Sequence, residues 1–523
     1  MAENSNYHYI IVGGGIAGSV LASRLHEKHP ALAILLIEAG PDVTNNPLVT
    51  DSANGPFLVG SELDWGYPTV PQRHLNNRVL PNNAGKALGG GSAINAGGWI
   101  RGDANDYNAW ESWSMIPDGA MMDFYHTFVG PNIITSQALR PNMAMKGLFT
   151  PNRPHLPAGL GELVENRKNG QRQVASAVYP LTGTHVMTST LVARVLTDTR
   201  ESTPKATGVE LADGRKITAI KEIILSAGAY RTPQILLLSG IGPSEELEKH
   251  SIDQIVDAPH VGQNLHDHMS VAQWWKLKNP EAGYALGSPL FNNPNFAKGT
   301  PLDWVVTCGV PLEGLKAALA KDEGTVDNSH PLLSPARSHV ECLTVYVGAN
   351  KFEPVIPMDG SHITTVVLGG LPTSRGIVKL ASIDPTVAPI IDPNYFSTEA
   401  DRYVLRTGLR KTMEVMLDTT EGQNLIETET VASGEKPLDW MARDDEIDER
   451  IKARGKTVYH PAGTAAMGRV VDGNLRVYGV QGLRVVDASV IPLPITAHYQ
   501  ACTYALSEQA AEIIGSSFES CAN

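Results

Sequence analysis

The 523-residue chain has only four cysteines, Cys308, Cys342, Cys502 and Cys521, which are widely spaced and form no CxxC pair. This argues against a disulfide scaffold or a zinc ribbon and fits free thiols in a reducing compartment. Long lysine or arginine runs are missing and the formal net charge is −13, so the chain offers no electrostatic footprint for nucleic acid or anionic lipid. No run of about 18 apolar residues is present to span a membrane. The chain has no Asn-x-Ser/Thr acceptor, and MAENSNYHYIIVGGG carries no basic region followed by an apolar one. An intracellular, cytoplasmic protein without a membrane partner is expected.

With 42% hydrophobic and 19% charged residues the chain has an ordinary globular composition, but its 49 glycines are a modest excess. Many of them are gathered. Tyr7 to Val12 reads as a strand, Gly13 to Gly18 is a glycine cluster, Ile16 to His29 reads as a helix, and Leu32 to Ala39 is a second apolar run. Together they make a βαβ unit.

Gly13-x-Gly15-x-x-Gly18 in that unit is a dinucleotide fingerprint. Gly13 permits the tight turn, Gly15 admits a pyrophosphate, and Gly18 with Ala22 lets helix and strand pack closely. Glu38, twenty residues after Gly18, can accept bonds from ribose hydroxyls and disfavours a 2′-phosphate. These residues alone leave NAD and FAD both open.

Two further segments decide for a flavin: Gly85 to Gly102, containing LGGGSAINAGG, and Gly228 to Gly242, GAYRTPQILLLSGIG. They resemble the signature motifs of the glucose–methanol–choline (GMC) oxidoreductases, which are FAD enzymes. Further matches are Asp64-Trp-Gly-Tyr67, Val261-Gly-Gln-Asn-Leu-His-Asp-His268, Ser374-Arg-Gly376, Ile391-Asp-Pro-Asn-Tyr395, His460-Pro-Ala-Gly-Thr-Ala-Ala-Met-Gly468 and Gly482 to Pro492. The resemblance covers nearly the whole chain and is weakest from about Trp113 to Glu165, where relatives carry part of a lid.

The resemblance implies an α/β fold, with a Rossmann-like FAD-binding domain and an interleaved α+β substrate domain built on an antiparallel sheet. It places residues 1–150, 181–270 and 455–523 in the FAD-binding domain, and 151–180 and 271–454 in the substrate domain. The stretch from Asn292 to Gly324 reads as loop. By the same resemblance Ile16, Ala17 and Glu38 hold the ADP half and Val192 contacts the adenine. Gly91, Asn95, Ala96 and Gly98 line the pyrophosphate and ribityl region, and Ala488 and Gln500 lie near the flavin ring. Some relatives attach FAD through a histidine in the glycine-rich segment; Ile94 stands there in this chain, implying non-covalent FAD.

Of the sixteen histidines, His460 and His498 fall in segments that the family places before the flavin. The resemblance makes His460 the base that takes the hydroxyl proton of an alcohol, and His498 its hydrogen-bonding partner. An imidazole suits the task because its pKa lies near neutrality. His266 and His268 read as parts of a structural turn, and Asp487 as an anchor of backbone or ribityl chain. A helix starting near Ala501 would turn its positive end toward the flavin.

His266-Asp-His268 lacks a third ligand for a metal, and Gly90-Gly-Ser-Ala-Ile lacks the final glycine of a serine-hydrolase elbow. The expectation is therefore an oxidoreductase acting on a CH–OH group of a small organic alcohol, with oxygen or another acceptor regenerating FAD, in a pathway that fits biosynthesis. A GMC-type lyase with a structural FAD is the alternative.

Overall fold

The computed structural model describes residues 7–51, 54–114, 134–136, 159–291 and 299–522. Most of the lid segment expected within 113–165 lies outside them.

Two sheets organise the described chain. In the first, Tyr7–Val12 pairs in parallel with Ile34–Ile37 and with Lys216–Leu225. Ile34–Ile37 carries His185–Met187 on its outer side, and Leu483–Val485 runs parallel to Lys216–Leu225. Val192–Asp198 and Lys205–Leu211 complete the seven strands as an antiparallel meander. The continuous apolar runs YIIV and ILLI are what a parallel sheet covered on both faces requires. The helix Ile16–Lys28 covers this sheet, and its Arg24 pairs with Glu508 of the C-terminal helix Tyr499–Ala522 at 2.8 Å.

The fingerprint glycines explain themselves sterically. Gly13 has φ +105°, and a Cβ there would stand 2.3 Å from the Ser226 carbonyl oxygen. A Cβ on Gly18 would stand 1.9 Å from the Gly13 carbonyl oxygen, so only glycine lets this helix start against this strand.

The second sheet is antiparallel, in the order Ile426–Thr430, Met269–Leu277, His362–Gly369, Val340–Val345, Trp304–Cys308, Gly159–Glu162, with Lys456–Thr457 added beside Met269. The amphipathic helix Glu399–Leu417 packs on one face through Val404, Leu405, Leu409 and Met413. The architecture is the α/β fold expected, a Rossmann-like domain with an interleaved α+β domain on an antiparallel sheet.

Three details depart from the sequence reading. The stretch Asn292–Gly324, read as loop, contains the strand Trp304–Cys308 and the helix Leu312–Glu323. The helical spacing of Leu315, Ala318 and Leu319, all buried, carries that helix. Leu75 and Leu80, inside the part assigned to the FAD-binding domain, are buried in the core of the second domain. Conversely Val378 and Ile391, assigned to the substrate domain, pack with Tyr67, Tyr230 and Leu265 against the first.

Candidate active site

A cavity of about 470 Å3 runs between the two domains. One end is walled by Gly13, Gly15, Ile16, Ala17, Glu38 and Val192, the middle by Gly91, Asn95, Ala96 and Gly98, and the other end by His460, Asp487, Ala488, His498 and Gln500. Every residue expected at the cofactor lies on this wall except Gly18, whose part is the close helix–strand packing. The glycine-rich wall fits a long dinucleotide. A Cβ on Gly91 or Gly228 would meet no other atom within 4 Å, so both face open space.

At the first end, Glu38 accepts hydrogen bonds from Gly14 N and Gly40 N, both at 2.8 Å. Burial pushes its carboxyl up to about 7, against the pull of those N–H groups. Two lone-pair directions remain for ribose hydroxyls. Arg231, which the sequence reading did not single out, lines the same cavity; it stacks on Trp65 at 4.2 Å and donates to the Tyr67 hydroxyl at 2.7 Å. Trp65 and Tyr67 belong to the DWGY motif, whose signal was there without a role attached. Asn95 is held by Gln500 at 3.2 Å and by Arg172 at 3.0 Å.

Asp487 is an anchor: it accepts from Gly228 N at 2.9 Å, Thr232 Oγ1 at 2.6 Å and Ser489 N at 2.7 Å. The C-terminal helix begins at Tyr499, one residue after His498, and its Gln500 and Thr503 reach the cavity wall. Its positive end therefore faces the cavity.

At the second end, His460 and His498 lie with ring centroids 5.2 Å apart. The loop bearing His498 is tied down by Asp106, which accepts from Thr496 N and Oγ1 at 2.8 Å and pairs with Arg337 at 2.7 Å. His498 Nε2 is bound to Glu341 Oε1 at 2.9 Å instead of being presented to the cavity. Burial alone would lower the His498 pKa, but the Glu341 charge and hydrogen bond together with the Gly98 backbone raise it above its ordinary value. His460 is driven the other way, well below 6.5, by burial first and then by His498 and His268. The two rings are pushed in opposite directions, His498 toward its protonated form and His460 toward its neutral one.

The segment 264–268 runs antiparallel to 460–464, with His266 opposite Ala462, and this brings His268 opposite His460. Asp267 Oδ1 accepts from His460 N at 2.8 Å, and its Oδ2 accepts from Thr457 Oγ1 at 2.5 Å and from the Tyr395 hydroxyl. Burial raises Asp267 to about 6 despite these donors. His266 pairs with Ile491 O and the Tyr499 hydroxyl, both at 3.2 Å. The Nδ1 of His268 is 3.0 Å from Nδ1 of His460.

A glycine-lined cavity on a Rossmann-like sheet, with paired histidines on its wall, is a site for a dinucleotide cofactor beside groups able to move a proton. Family models described as GMC oxidoreductase match residues 7–129 with 157–270 and residues 372–507. The chain is 41% identical to GMC-type oxidoreductase acuG of Aspergillus aculeatus over 98% of this chain and 99% of that one. It is 32% identical to alcohol dehydrogenase [acceptor] of Pseudomonas putida, over 97% and 95%. A crystal structure of formate oxidase superposes with a TM-score of 0.87 at 28% identity, over 99% and 100%; FAD modification is described for the Aspergillus oryzae formate oxidase. The chain belongs to the GMC oxidoreductases and is an FAD-dependent oxidoreductase.

Proposed function

We propose that this enzyme oxidises the CH–OH group of a small, neutral organic alcohol. The observation that carries the reading is the pair of buried rings at the end of the cavity, a lowered His460 beside a raised His498. FAD, when bound, supplies the hydride acceptor at flavin N5. His460 takes the hydroxyl proton. With its Nδ1 engaged by His268, Nε2 is the nitrogen left for that proton. His498, biased toward its protonated form by Glu341, opposes the negative charge that develops on the substrate oxygen. Oxygen or another acceptor then re-oxidises the enzyme.

The substrate class follows from the wall. Among the described residues lining the cavity, the second sheet contributes Leu343, Val366 and Leu368, all aliphatic. The carboxylates on the wall, Glu38 and Asp487, lie in the first domain and are engaged by protein partners. A cationic substrate would therefore enter an aliphatic compartment, beside a His498 that Glu341 biases toward its own protonated form, without a free counter-ion, at a cost of several kcal/mol. Relatives include an oxygen-dependent choline dehydrogenase of Yersinia pestis, whose substrate is a cation.

Anaerobic mixing with a panel of alcohols tests this. Neutral primary alcohols with an aliphatic or aryl body are expected to bleach the flavin band at least about tenfold faster than choline; equal or faster bleaching by choline contradicts the reading.

The flavin is proposed to be bound without a covalent link, since Ile94 on the cavity wall offers no nucleophile. Acid precipitation is expected to leave the yellow colour in the supernatant; a coloured pellet contradicts this. A cytoplasmic location is part of the proposal, supported by Cys308, Cys342 and Cys502 being free thiols.

A further inference from the structure

An imidazole can accept a substrate proton only through a nitrogen that carries a lone pair, and a neutral imidazole has one such nitrogen. His460 contacts His268 through Nδ1, so everything depends on which ring donates across that 3.0 Å contact. If His268 donated, His460 Nδ1 would hold the lone pair and its Nε2 would present a hydrogen to the substrate. The base would then be blocked.

The proton that His460 must take decides between the two arrangements. The ring is 2% exposed and crosses His460 edge to face, with centroids 5.2 Å apart, while Tyr499 crosses it on another side at 4.9 Å. Burial, the first cause, and the neighbouring His498 hold His268 down to about 3, so it is neutral. Its Nε2 is buried and has no hydrogen-bond partner among the described residues, whereas its Nδ1 faces His460. A His460 that takes the alcohol proton at Nε2 must carry its hydrogen on Nδ1, the atom facing His268. His268 Nδ1 is then the lone pair, and it accepts from His460.

From this geometry we infer that His268 is a positioning residue which, by accepting the Nδ1–H of His460, holds that ring in the tautomer whose Nε2 lone pair is available to the alcohol. The inference rests on the reading of His460 as the base. No proton leaves the His268–His460 pair in the step: His460 gains the substrate proton at Nε2 while its Nδ1–H stays bonded to His268. The contact also supports the imidazolium that forms, because the acceptor faces a stronger donor once His460 is charged. Orienting acceptors of this kind act through the ring they hold, and loss of the correct tautomer has cost about 10⁴-fold in a serine protease triad.

Three variants of the FAD-loaded enzyme test it by anaerobic flavin reduction with one neutral alcohol. His268→Leu removes the acceptor and is expected to slow reduction about a hundredfold, below the triad figure because a neutral acceptor is weaker than a carboxylate. His268→Asn restores an acceptor oxygen at the place of Nδ1 and is expected to stay within about tenfold of the parent. His460→Ala gives the reference loss.

Reduction by His268→Leu at the parent rate overturns the inference, and so does an equal loss in His268→Leu and His268→Asn, which would mark packing as the cause. A parent rate in His460→Ala instead sinks the reading of His460 as base. A measurement independent of turnover and of variant folding is the ¹⁵N shift of the His460 ring in the histidine-labelled parent: a protonated Nδ1 and bare Nε2 are expected, and the reverse pattern overturns the inference.

Discussion

His460→Ala is expected to retain FAD and to slow its anaerobic reduction by alcohol about 10²- to 10⁴-fold, the usual contribution of a positioned base. The wall that would hold the cofactor is glycine backbone together with Glu38, Asn95, Asp487 and Gln500, all of which the substitution leaves in place. What disappears is the nitrogen that, among the described residues, is placed to take the hydroxyl proton at that end of the cavity. The neighbouring His498 cannot replace it, since its Nε2 is bound to Glu341 and its pKa is raised. Stopped-flow absorbance of the flavin band measures this, and the visible spectrum of the resting variant reports cofactor content. An unchanged reduction rate contradicts the role.

The second large effect is expected from Glu341→Gln. The carboxylate lifts His498 above 6.5 against the lowering effect of burial, so the protonated form persists as pH rises until that raised pKa is passed. His460 is shifted the opposite way, so its base form persists as pH falls well below 6.5. Flavin reduction in the parent should therefore show a broad plateau, with an acid limb well below pH 6.5 and an alkaline limb above it, both belonging to the coupled pair. Removing the Glu341 charge lowers His498, which draws the alkaline limb down. It also relieves the repulsion that holds His460 low, which draws the acid limb up. The plateau narrows from both sides, and the rate on it falls about ten- to a hundredfold through loss of a charged stabiliser near the developing oxyanion. A pH profile superposable on that of the parent would show that Glu341 does not govern the pair.

Much of this site was legible in the sequence because it is built from backbone. A turn or close packing that tolerates no Cβ must be written as glycine, so Gly13 and Gly18 announced the cofactor end, while the glycines of LGGGSAINAGG marked the middle through the resemblance. His460 and His498 stood out only through the resemblance, since nothing in their spacing brings residues 38 apart onto one cavity wall.

The contacts that tune them were hidden for the same reason. Glu341 lies on an antiparallel strand far from either histidine in sequence, and an alternating strand gives a glutamate no mark of its partner. His268 sat in a motif that could be matched without its register against 460–464 being visible. The strand and helix within 292–324 were overlooked because proline and glycine surround a short apolar run, whereas packing against Tyr403 and the second sheet fixes them.

The central claim is that the protein oxidises an alcohol, His460 taking the hydroxyl proton while the carbinol hydrogen leaves as hydride to the flavin. It is tested most directly by mixing the oxidised enzyme anaerobically with a neutral primary alcohol that bleaches its flavin, and with the same alcohol deuterated at the carbinol carbon. Bleaching that slows severalfold with the deuterated alcohol, and an aldehyde formed in one equivalent per flavin, is the predicted result. Conversion of the alcohol with the flavin band intact would instead make the FAD structural and contradict the account.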